Sequence, residues 1–184
     1  MKPTLLASIL LGACGTSASK PAMPAEAPKA SPAVKPGSIV VSGTRNGAAF
    51  SFTCDHPGHE LAADTSVENL ETSILVACAD AASGLMANCT VHMTVGDQPL
   101  TDDESTGRIN LNFQPPGSDT GFEQVTTSAR GAVDSARGTG TTKITLWDPS
   151  SGHIVGVSTM KWEKGKTAAP GTLTIAFDVT APAR

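Results

Sequence analysis

The chain has 184 residues, 13 Lys plus Arg against 17 Asp plus Glu, and a formal charge of −4, so it lacks the cationic surface that duplex nucleic acid demands and no nucleic-acid partner is expected. Charged residues make up only 16% and tyrosine is absent, while Gly, Ser, Thr and Ala are abundant. Such a composition suits an exported β-rich domain with many turns.

The first residues carry one positive charge at Lys2, an apolar run from Leu5 to Leu11, and small residues ahead of Cys14. This is the layout of an export signal over residues 1–13. The run is too short for a transmembrane helix, which needs about 20 residues. Leu11-Gly12-Ala13-Cys14 resembles the lipobox of bacterial lipoproteins. The resemblance covers these opening residues alone and implies that Cys14 becomes the lipidated N-terminus, where each buried methylene adds roughly 0.8 kcal/mol of membrane affinity. It also implies a cell-envelope location, and Gly15 in place of the family's aspartate retention signal favours the outer membrane. The plainer alternative is an ordinary signal peptide cut near Ala13 or Ala18.

Residues 14–37 form a second zone. Pro21, Pro24, Pro28, Pro32 and Pro36 are interleaved with Ala, Ser and Lys, which leaves too little apolar surface to fold and biases the segment toward extended polyproline II. At ~3.1 Å per residue such a tether reaches at most about 70 Å. The Ser17-x-x-Lys20 match to a catalytic motif falls inside it and carries no weight.

Residues 38–184 are the size of one ordinary domain. Ser38 to Gly43 and Ala48 to Cys54 read as a hairpin around Thr44-Arg45-Asn46-Gly47, with Phe50, Phe52 and Cys54 on one face. Cys54-Asp55-His56-Pro57-Gly58-His59 follows, the densest group of potential metal ligands in the chain. Cys54, His56 and His59, completed by His92 or His153, are a candidate set for Zn or Cu, although the spacing fits no familiar zinc motif.

From Asp64 to Val95 two readings compete. A capping box at Thr65-Ser66-Val67-Glu68, then Val67, Leu70, Ile74, Cys78 and Ala81 at helical spacing, would give an α+β domain with a helix at about 66–83. Alternatively, Ile74–Cys78 and Cys89–Val95 fold back symmetrically about Ser83-Gly84, with Cys78 opposite Cys89 and Val76 opposite Val91. The hairpin explains both segments and is preferred. It also predicts a disulfide between Cys78 and Cys89, with Cys54 as the alternative partner.

Gly96 to Pro99 reads as a turn, Thr101 to Ser105 as an acidic loop, and Ile109 to Phe113 as a strand. Gly117 to Gly140 fits a loop, an edge strand or a short helix. Lys143–Trp147 and Ile154–Trp162 make another hairpin around Asp148-Pro149-Ser150-Ser151-Gly152, and Thr172–Val179 is the last strand. The expected fold is thus all-β: a single antiparallel β-sandwich, Ig-like or similar, of about eight short strands.

For function, the chain shows no nucleophile elbow, zincin helix, phosphate-binding glycine loop or nicotinamide fingerprint. The leading expectation is a non-enzymatic binding or structural module with no cofactor, held at a membrane by lipid on Cys14 and meeting an envelope protein or ligand. The alternative is an envelope Zn or Cu binder using the Cys54 loop.

Overall fold

The computed structural model describes residues 34–55, 65–70, 72–98, 100, 107–118, 120–128, 136–165 and 168–182. The signal, nearly all of the tether, His56, His59 and the acidic stretch 101–105 lie outside the described residues.

β1 (Ser38–Arg45) and β2 (Ala48–Asp55) form the expected first hairpin. Asn46 and Gly47 take φ values of 51° and 76°, the two-residue turn whose twist matches that of the strands it joins. β3 (Thr65–Asn69) and β4 (Ser73–Asp80) occupy the stretch for which a helix was the alternative. Ile74, Val76 and Cys78 point into the core at period two. The chain continues through β5 (Leu85–His92), β6 (Gly96–Gln98), β7 (Arg108–Phe113), β8 (Glu123–Thr126), β9 (Ala136–Asp148), β10 (His153–Trp162) and β11 (Gly171–Thr180).

The all-β class holds, with eleven strands among the described residues where about eight were expected. The finer expectation of an Ig-like sandwich is not confirmed. The strands make one sheet in the order β2-β1-β11-β10-β9-β8-β7-β5-β4-β3, with β6 paired beside it to β9, curled into a half-barrel. The seam is a short parallel pairing of β8 with β9, Val125 beside Ala136 and Thr126 beside Arg137. All other pairings among the described residues are antiparallel. Ile39, Val41, Ile74, Val91, Ile109, Ile144, Ile175 and Phe177 fill the core between the two halves.

The unreadable stretch 117–140 supplies β8 and the start of β9, and Gly96–Gln98 is a short strand where a turn was expected. Its anchor is the buried Gln98 side chain. The amide nitrogen donates to the carbonyls of His92 (2.9 Å) and Thr94 (2.8 Å), and the amide oxygen accepts from the His92 N–H (2.9 Å).

The disulfide expectation is corrected. Cys54 is bonded to Cys78, with Cα atoms 5.8 Å apart, and Cys89 is a buried free thiol. The β4–β5 register explains the difference: Cys78 faces Ala87, Val76 faces Cys89 and Ile74 faces Val91. A slip of two residues preserves every inward and outward side chain, so hydrophobic pattern cannot detect it. The turn decides. Ala81 to Gly84 form a four-residue loop, with Gly84 at φ 70° and its N–H donating to the Asp80 carbonyl at 2.9 Å. The bridge spans 24 residues of sequence and links β2 to β4, near the two ends of the strand order.

At the other large hairpin, β9 carries a bulge opposite Val155 and Gly156. A side chain at Gly156 would sit 2.7 Å from both Ile144 and Phe177, so the position must stay bare. The closing turn is organised by Asp148. Its carboxylate accepts from the Ser150 hydroxyl (2.7 Å), the Ser150 N–H (2.9 Å) and the Ser151 hydroxyl (2.6 Å). These bonds, that of the Ser150 hydroxyl foremost, lower its pKa from 3.8 to about 2.

Reduction of Cys54–Cys78 releases a constraint worth about 3 kcal/mol on the chain-entropy view, and should lower Tm by roughly 6–12 °C in a domain of this size. An unchanged melting curve would contradict the bridge. For Asp148 the folded pKa lies below the ordinary one. Its stabilising effect is therefore complete above pH 3.8 and is lost as pH falls through about 2. Carboxyl NMR titration should place its midpoint near that value, and Ser150→Ala should raise it.

Candidate functional site

Burial sets the chemistry of each cysteine. Cys54 lies at the end of β2 with its sulfur committed to Cys78, so it offers no thiolate, and the expected metal set loses its softest ligand. Asp55 beside it is exposed. His92 ends β5, and His153 opens β10, where its Nε2 lies 2.7 Å from Asp178 Oδ1. No cluster of three or more potential metal ligands occurs among the described residues. Cys89 is enclosed in the core, where burial raises its pKa to about 12 against a smaller opposing effect of the Ser158 hydroxyl. The thiol is neutral at physiological pH and a poor nucleophile. Ser158 in turn lies 2.7 Å from the Thr142 hydroxyl, a polar contact buried at the β9–β10 interface that sequence reading missed.

Arg45, at the end of β1, is a second feature not anticipated. Its guanidinium donates to both carboxylate oxygens of Glu123 on β8, at 2.7 and 3.3 Å, and lies 4.0 Å from the centroid of the Phe113 ring. The Arg–carboxylate fork and the aromatic face hold the same cation from two sides. Leu111, Val125, Trp162, Ala168 and Ala169 complete a hollow around it, and the Trp162 indole N–H donates to the Ala169 carbonyl at 2.6 Å. The hollow has space for about one water molecule. With its cation already paired, it is a clamp between β1 and β8 rather than a ligand cavity.

What the fold does present is an edge. The strand order ends at β2 and at β3, and no described strand pairs with the outer side of β2. β3 has five residues and carries Glu68, whereas β2 has eight, pairs with β1 without a break, contains no Pro, Lys or Arg, and carries its one charge, Asp55, at its last residue. Proteins normally blunt such an edge with charge, proline or a bulge. Hydrogen-bonding direction follows from the turn: Arg45 and Ala48 close the two-residue hairpin, so Ala48, Phe50 and Phe52 direct their backbone groups to β1 and Ala49, Ser51 and Thr53 direct theirs outward. These last three are exposed. On the core side, Phe50 and Phe52 are half-buried, their rings 6.4 Å apart and inclined by 26°. The alternation of these residues was legible in the sequence, but their place at the end of the sheet was not, because it depends on β11 taking the other side of β1.

Two outcomes check this description. Glu123→Gln should cost about 1 kcal/mol in denaturant unfolding, through loss of the charged fork at a partly exposed site. Co²⁺ added to the oxidised Cys14→Ser chain should give no thiolate charge-transfer absorption, and such a band would restore a cysteine ligand. The chain matches no protein-family model, no curated protein and no solved structure.

Proposed function

We propose that the chain is a lipid-anchored protein of the bacterial cell envelope, placed at the outer membrane, that presents a non-enzymatic β-rich binding or structural module on an extended tether. The observation that carries this reading is Leu11-Gly12-Ala13-Cys14 directly after a short apolar run. The Pro-rich stretch behind it supports the reading because it ends where the sheet begins. The Gly37 N–H donates to the Asp178 carbonyl at 2.8 Å and the Ser38 hydroxyl to the Lys35 carbonyl at 2.6 Å, so β1 begins two residues after Pro36, the last proline of the stretch. Within the described domain, chemistry gives way to shape: a sealed thiol, a paired arginine and a long open strand edge.

Replacement of Cys14 by Ser should abolish acyl labelling and release the chain into the soluble envelope fraction. Membrane retention of an unlabelled Cys14→Ser chain would overturn the anchor. For the unsubstituted chain, recovery in inner rather than outer membrane fractions would overturn the placement drawn from Gly15.

A further inference from the structure

A strand edge of this kind selects its partner by register. Two copies of one antiparallel edge related by a two-fold axis must bring residues from the same face opposite each other, and the residues directing their backbone groups outward must pair among themselves. For β2 the outward set is Ala49, Ser51 and Thr53, as the closing pair of the hairpin requires. Both demands are met when Ser51 lies opposite its own copy and Ala49 lies opposite Thr53 of the second copy. The same register sets Phe50 beside Phe52 of the second copy, twice over. These are non-hydrogen-bonded positions, where opposing Cα atoms approach to about 4.5 Å and side chains pack most closely. The two half-buried rings of each chain would then form one four-ring row along the core side. On the outer side only Ala, Ser and Thr meet, and Asp55 falls beside Gly47 of the second copy, so no like charges oppose.

We propose that the outer edge of β2 pairs antiparallel with the same edge of a second copy of this chain, about a two-fold axis at Ser51. Self-pairing is favoured over a foreign strand because the edge complements itself in hydrogen-bond direction, side-chain face and charge at once. A single strand pair buries less than the roughly 800 Å² per partner of a stable interface, so the dimer is weak in solution. Confinement to one surface raises the effective concentration and favours it. The pairing itself does not depend on the anchor.

The test is crosslinking of the full-length chain in the cell fraction where it resides. Ser51→Cys, treated with a short bis-maleimide, should give a product of twice the chain mass about tenfold faster than Thr159→Cys, an exposed outer-face position on the interior strand β10. Adding Ala49→Pro, which removes an outward N–H but leaves the β1 ladder intact, should abolish that advantage. Equal rates at the two positions, or a Ser51→Cys product of any other mass, would overturn the proposal, the latter by showing a foreign strand on the edge. Should the variants fail to fold, sedimentation of the unsubstituted chain decides: mass must rise toward the dimer as concentration is raised to about 1 mM, the order reached by confinement, and a monomer mass held up to that concentration overturns the pairing.

Discussion

A sheet that curls without closing must hold its ends together by something other than a ladder of hydrogen bonds. Here that role falls to the bond between Cys54 and Cys78, which joins the terminal strand β2 to β4 near the far end of the strand order. The Arg45–Glu123 pair makes a second tie from the opposite end of the same hairpin to β8. The β1–β2 hairpin is thus fixed to the other half of the sheet at two places nearly its whole length apart. Between them the apolar side chains of both halves pack as one core. Two separated ties restrain the hairpin more than either does alone, because one point leaves a pivot and two leave only a hinge.

The same arrangement explains what the sequence could and could not reveal. Alternation of apolar and polar residues identified β1, β2, β4, β7, β10, β11, the second half of β9 and the end of β5 from Cys89 to His92, because each has one face in the core, and period two survives whatever the neighbours are. Pairing between distant strands left no such trace. The β8–β9 seam involves two residue pairs in a stretch with no clear period, and β6 is only three residues long. The cysteine pairing escapes the pattern for a related reason. Cys78 and Cys89 both face inward, and their side-chain pattern is identical in two registers two residues apart. Only the four-residue loop closed by Gly84 separates them.

The candidate surface was legible in part. Phe50, Ser51 and Phe52 announced a two-faced strand, but whether its outer side is covered depends on the order of strands that follow by more than a hundred residues. Arg45, Glu123 and Phe113 come together from three segments with no local motif. The densest group of polar residues, around Cys54, drew attention for its composition, and its sulfur turned out to be committed to structure.

The position of β1 has a mechanical consequence. β1 begins at Ser38 and is paired along its full length on both sides, with β2 and with β11. A pull along the axis of that strand would load both ladders together. To slide β1 out, two whole ladders must shear at once, whereas a strand loaded at right angles peels away one bond at a time. Tension along that axis would be spread across many bonds in parallel, a property that the proposed anchor would put to use.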